Sequence, residues 1–161
     1  MGTVTTLSGG AQTGRTAAPG MIYTERLVDI ATWAAAEGAP LVAADILEVI
    51  RIPAESIVWG AGIEEVSPLV GESADTRFLL GVTGVDVDAF VASWDATAAA
   101  AGAYAPAATT VPVMFATADT IDLELDAATT APTAGALRVW AVYTNVGGRV
   151  LANEVDRDQL A

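Results

Sequence analysis

Seven consecutive residues, Thr120-Ile121-Asp122-Leu123-Glu124-Leu125-Asp126, alternate apolar and acidic from Ile121 onward without a break. Successive side chains of an extended strand point to opposite faces, so the run makes one apolar face and one acidic face. A helix would scatter both sets around its circumference. The stretch therefore predicts a half-buried strand, with Ile121, Leu123 and Leu125 inward and the three acids toward water. A loop containing Pro132 and Gly135 follows. Then Leu137-Arg138-Val139-Trp140-Ala141-Val142-Tyr143-Thr144-Asn145-Val146 reads as a second strand, rich in β-branched and aromatic residues. It is apolar on both parities, which predicts cover on both faces. Two such strands in succession predict an antiparallel pair, and a pair needs further strands around it to be stable.

Those further strands are legible upstream. Val28 and Ile30 alternate with Asp29 in residues 22–36, which predicts a strand ending at the turn Glu37-Gly38-Ala39-Pro40. Ile46–Ile52 is mostly apolar. Pro53-Ala54-Glu55-Ser56 supplies a tight turn, and Ile57–Val66 is the next strand. Within it Gly60 and Gly62 share one parity, the mark of a bulge, a bend or the close approach of another backbone. Asp75–Thr83 follows, with Thr76, Phe78, Leu80 and Val82 on the inner parity. Asp88 ahead of Ala89-Phe90-Val91-Ala92-Ser93-Trp94 fits a helical turn or two capped by that aspartate, and this is the reading favoured for residues 84–95 over a strand. Residues 97–110 form an alanine-rich loop. Val111–Ala116 is another strand, with Pro112 at an edge or at its start.

Seven or so short strands without β-α-β alternation predict an all-β fold, an antiparallel β-sandwich or jelly-roll-like single domain. Its expected extent is residues 22–148. Residues 1–21 are mostly Thr, Ser, Gly, Ala and Pro, with Arg15, and predict an extended N-terminal arm. Residues 149–161 predict a polar C-terminal tail.

Composition narrows function chiefly by exclusion. The 161 residues include no histidine, cysteine or lysine. Nucleophilic systems that rely on histidine, thiolate or Schiff-base lysine are absent, as are the usual zinc, haem and iron–sulfur ligands. The expectation is no enzyme and no cofactor. A formal net charge of −13 repels a phosphate backbone, so nucleic acid is not an expected partner. No run reaches the roughly 18 apolar residues of a membrane span, and the N-terminus lacks the basic and apolar regions of a secretory signal. The acids themselves point weakly to chemistry. Asp86-Val87-Asp88 with Asp95 supplies oxygen ligands for calcium, but the calcium-loop pattern is not met. Glu64 and Glu65, as strand neighbours, point to opposite faces and do not make a hydrolytic pair.

All seven basic residues are arginine. Arginine keeps its charge when partly buried and pairs bidentately with carboxylates, which suits interfaces. Compositional drift in a GC-rich genome predicts the same usage. Four tryptophans, Trp33, Trp59, Trp94 and Trp140, are large anchors in a chain of small residues; core packing is the default for each, and one or two suit a contact surface. The candidate interface residues are Arg15, Arg26, Trp59, Arg77, Arg138 and Trp140.

Four segments together resemble a family of small structural proteins of tailed phages, especially phages of marine bacteria. They are D-I-L-E-V-I-R-I-P-A-E-S-I-V-W-G-A-G-I-E (residues 45–64), G-V-D-V-D-A-F-V (84–91), A-D-T-I-D-L-E-L (118–125) and A-P-T-A-G-A-L-R-V-W-A-V (131–142). The resemblance, to head decoration or capsid cement proteins, covers residues 27–146 and rests on strand signatures, with no catalytic motif. It implies a jelly-roll-like domain, commonly a homotrimer, made in the host cytoplasm and placed on the outer capsid surface of the virion. It also implies that the domain is clamped onto the major capsid protein and stabilises contacts between its subunits. The alternative is a head- or tail-fibre-type module that binds a host surface glycan.

Overall fold

The computed structural model of the protein describes residues 3–4, 13–18, 20–97, 101–105 and 112–145. The strands are β1 (Thr3–Val4), β2 (Thr13–Ala18), β3 (Met21–Asp29), β4 (Ile46–Ile52), β5 (Ser56–Val70), β6 (Arg77–Val82), β7 (Asp86–Asp95), β8 (Val113–Phe115), β9 (Asp119–Ala127) and β10 (Ala134–Asn145). One helix, α1 (Ile30–Glu37), lies between β3 and β4.

They form two five-stranded sheets, ordered β1-β4-β9-β6-β7 and β2-β3-β10-β5-β8. From β3 onward the antiparallel pairs nest: β3 with β10, β4 with β9, β5 with β8, and β6 with β7. That is one long hairpin rolled over on itself, the eight-stranded jelly roll. The expected all-β sandwich is thus the fold. Two pieces of residues 1–21 extend the sheets: β1 pairs in parallel with β4, and β2 pairs with β3. The expected tail, residues 149–161, lies outside the described residues.

The core is the space between the sheets. Phe78, Leu80 and Val82 of β6 meet Ile121, Leu123 and Leu125 of β9 on one wall, as their parity predicts. Ile63 of β5 and Leu137, Val139 and Ala141 of β10 face them from the other. Burying an aliphatic side chain of this size contributes about 1.5–3 kcal/mol, so these rows fix which face of each strand turns inward.

Five expectations from the sequence are corrected. First, β9 and β10 are not an antiparallel pair; they belong to opposite sheets, and the Pro132 loop crosses from one sheet to the other. Second, residues 30–37 are helical instead of continuing a strand. The Asp29 carboxylate accepts from the Thr32 N–H at 2.7 Å and the Thr32 hydroxyl at 2.8 Å, and Gly38 ends the helix in the left-handed region at φ 75°. Capping at both ends overrides the short Val28/Ile30 alternation. Third, residues 86–95 are strand, not a capped helical turn: Ala89, Phe90 and Val91 are buried, and Asp86, Val91, Trp94 and Asp95 pair with β6.

Fourth, Asp122 does not face water. Only 5% of it is exposed, because the start of β7 bulges over its cross-strand neighbour Gly81. Its Oδ2 accepts from the Thr83 N–H at 3.0 Å, while Oδ1 has no hydrogen-bond partner. Glu124 and Asp126 are half-buried beside it. Fifth, β10 is covered on one face only. Leu137, Val139, Ala141 and Tyr143 are buried, whereas Arg138, Trp140, Val142 and Thr144 lie half-exposed on the outer surface.

Candidate interaction face

The outer face of the β2-β3-β10-β5-β8 sheet gathers four of the six interface candidates, Trp59, Arg138 and Trp140 near its middle and Arg15, by register, at its β2 edge. β10 runs through its middle and contributes Arg138, Trp140, Val142 and Thr144. Register sets Arg138 between Leu27 of β3 and Glu64 of β5, and Trp140 between Glu25 and Gly62. The Arg138 Nη1 donates to Glu64 Oε2 at 2.7 Å, and its Nε lies 3.7 Å from Glu25 Oε2. Tyr23 donates its hydroxyl proton to the same Glu25 oxygen at 2.7 Å. Burial, that hydrogen bond and the Glu25 charge push the Tyr23 hydroxyl up to about 12, so it stays a donor at any physiological pH. One guanidinium serves two carboxylates, and the exposed pairs stabilise by under about 1 kcal/mol. Their effect is to hold polar groups in a fixed row.

The two glycines of β5 are explained by a ring. A Cβ on Gly62 would lie 2.8 Å from the Trp140 indole, and one on Gly60 would lie 3.8 Å from it. Trp140 therefore lies flat on a strand stripped of side chains. The close approach expected from the sequence is made by an indole, not by another backbone. The bulge is present as well, as a register shift between Val142 and Tyr143. Trp59 stands beside it, 47% exposed, its indole N–H donating to Thr144 Oγ1 at 3.0 Å. Tyr104, bridged to Glu64, and Leu27 and Met114 are also exposed. Pattern reading missed Tyr23, Glu25, Leu27, Tyr104 and Met114. The Tyr23/Glu25/Leu27 parity is legible once β3 is accepted as a one-sided strand; Tyr104 lies in a low-complexity loop that carries no signal.

Of the remaining candidates Arg15 shares this face by register, at its β2 edge, while Arg26 and Arg77 lie elsewhere. Arg26 is on the inner parity of β3, and its Nη1 donates to the Val49 carbonyl of the opposite sheet at 3.4 Å. Arg77 begins β6 across from Asp95 and Ala127. Arg15 of β2 stands across from Tyr23 in register. Glu64 and Glu65 point to opposite sides: Glu64 meets Arg138 outside, and Glu65 is 1% exposed. Among the described residues, no cluster of three acids is placed to hold a metal ion.

The outer face of the other sheet is acidic. Glu48 pairs across with Asp122, and Glu124, Asp126, Asp86 and Asp88 continue the patch. Burial first, then neighbouring acids, raise the Glu48 and Glu124 carboxyls above their usual range. Asp88 is raised chiefly by its hydrogen bond with Asp86, and Glu65 by burial. Two aspartates go the other way. Asp75 is lowered to about 2 by the Ser73 hydroxyl and by the Thr129 N–H and hydroxyl; Asp95 is lowered by the Thr97 hydroxyl and N–H.

A pH dependence follows. A carboxyl raised in the fold binds its proton more tightly there than in the unfolded chain, whose reference for glutamate is 4.5. Stability therefore increases as pH falls through the folded values and is fully gained below 4.5. The lowered aspartates contribute stability above 3.8, and the Asp75 share is lost as pH falls toward about 2. The melting temperature should peak on the acid side, near the ordinary carboxylate range, and fall again in stronger acid. Glu65→Gln should raise stability at pH 7 by about 1 kcal/mol, since it removes a charge that burial penalises. It should also shrink the acid-side gain. A calorimetric pH series with its maximum at neutrality would contradict both statements.

No family model and no curated protein matches the chain. Solved structures do. A chain of the cyanophage Pam1 capsid asymmetric unit superposes with a TM-score of 0.56 at 18% identity, covering 81% of this chain and 92% of that one. A chain of the capsid of Ralstonia phage GP4 gives 0.52 at 16% identity, covering 76% and 84%. A chain of the acidic stable capsid structure of Helicobacter pylori bacteriophage KHP30 gives 0.52 at 8% identity, covering 84% and 93%. The likeness is of fold, and it spans most of both chains in each comparison.

Proposed function

We propose that this chain is a structural, non-enzymatic protein of a phage virion, and more finely a decoration protein on the outside of the head. The observation that carries the reading is the likeness of fold, over most of the chain, to chains from three phage capsids. High coverage on both sides means that the compared chains are of similar length to this one. The family resemblance of residues 27–146 and the missing catalytic residue types support the same reading. On it, the chain binds the major capsid protein, assembles as a homotrimer, and stiffens the shell by burying area between capsid subunits. Many copies, each with a modest interface, make the total stabilisation large.

Quantitative mass spectrometry of purified parent virions tests it. Hundreds of copies per particle are expected, with loss of the chain lowering the temperature at which heads release DNA. Absence from the virion would overturn the proposal. A few copies per particle would favour the second reading, a fibre-type module for a host glycan, which the exposed rings of Trp59 and Tyr104 also suit. Sedimentation of the purified chain tests the trimer.

A further inference from the structure

The two outer faces of the sandwich differ in chemistry, and the difference orients the molecule. One is a patch of acids that gathers Glu48, Glu124, Asp126, Asp86 and Asp88 on one sheet, with Asp88 hydrogen-bonded to Asp86. An added acidic or apolar surface is unfavourable there, and water is the favoured neighbour. The other is flat and ring-lined. Trp140 lies over Gly60 and Gly62, and Trp59, Leu27, Tyr104 and Met114 are exposed around it. Aromatic residues, methionine and arginine at the centre of a patch are the composition of a protein contact surface. Both tryptophans are already fixed, Trp59 through Thr144 and Trp140 by the glycine bed, so little rotamer freedom remains to be lost on binding.

Charge narrows the occupant. At the centre of the face Arg138 is shared between Glu25 and Glu64, which leaves one carboxylate charge in excess there, with Arg15 the next basic residue in register, on the edge strand β2. A second copy of the same face would bring the same excess, on a chain with net charge −13. A partner with a basic side chain beside an apolar surface would neutralise it.

Resting on the decoration reading, we infer that the face formed by Trp59, Trp140, Leu27, Arg138, Glu25 and Glu64 is the one laid on the capsid shell. Its partner there is a protein surface carrying an arginine or lysine next to apolar side chains. The acidic face is turned to solvent.

The test is binding of the purified full chain to parent-phage heads assembled without it. Trp59→Ala and Leu27→Glu change exposed side chains, so folding is retained; each should weaken binding at least tenfold. Gly62→Ala keeps Trp140 but lifts its ring from the strand, and should weaken binding severalfold. Glu25→Gln should weaken binding and flatten its dependence on salt. Val85→Glu, exposed beside the acidic sheet, should bind as the native chain does. Native binding by Trp59→Ala and Leu27→Glu, with loss in Val85→Glu, would overturn the orientation while leaving the decoration reading intact. Failure of the native chain to bind heads at all would overturn both. A change in sedimentation of Trp59→Ala, with head binding intact, would make the face a contact between copies and end the inference. Loss by Trp59→Ala of retention on a glycan column, with head binding intact, would move the face to the fibre-type reading.

Discussion

Gly81→Ala should be among the most damaging single substitutions in the chain, costing about 3 kcal/mol. A Cβ at this position would lie 2.3 Å from the Asp86 carbonyl oxygen and from the Val87 carbonyl carbon, and 2.4 Å from the Val87 oxygen. These are backbone atoms, so no side chain can swing aside. The β7 bulge would have to lift off β6, and with it the cover over Asp122. Against a total stability of about 5–15 kcal/mol for a typical domain, that is a large share. Gly84→Ala is the natural comparison. Unlike Gly81 it sits at positive φ, 80°, and it has nothing within 4 Å, so only the backbone conformation opposes it, at about 1 kcal/mol. Urea unfolding of the two variants separates crowding from conformation. Equal midpoints would mean that β7 does not pass over Gly81.

Phe78→Ala should cost a comparable or larger amount, about 3–5 kcal/mol. Phe78 is completely buried on β6, across from Trp94 of β7 and Leu125 of β9. Removing the ring loses its transfer free energy and leaves a cavity between two sheets that are held apart by their other side chains. Val85→Ala, at a position 78% exposed, should stay within about 0.5 kcal/mol of the parent. If Phe78→Ala unfolds at nearly the native urea concentration, the β6 row is not the centre of the core.

Both predictions concern β6, whose inner parity was readable in advance from Thr76, Phe78, Leu80 and Val82. Alternation is a local signal, and it survives because a half-buried strand has one apolar face wherever it is placed. The parity of Ile121, Leu123 and Leu125 was readable for the same reason. The helix at Ile30–Glu37 was missed because its evidence is a cap at Asp29 and a stop at Gly38, with too few turns for a clear period. The strand at Asp86–Asp95 was missed because Asp88 resembles a helix cap until the ladder to β6 is known. The contact face was partly readable: Trp59, Arg138 and Trp140 were singled out, but that they share one surface with Leu27 and Tyr104 was not.

By itself the sequence determined most of the strands from β3 onward, the inward side of most of them, the all-β class and the missing catalytic residue types. These depend on side-chain chemistry and on the two-residue period of an extended backbone. Tertiary structure alone decided that β9 and β10 lie in opposite sheets, that Asp122 is covered, and that the indole of Trp140 rests on two glycines. Parity fixes a strand's face but not its neighbours. Those are chosen by hydrogen bonds between residues far apart in the chain, and no local pattern encodes that choice.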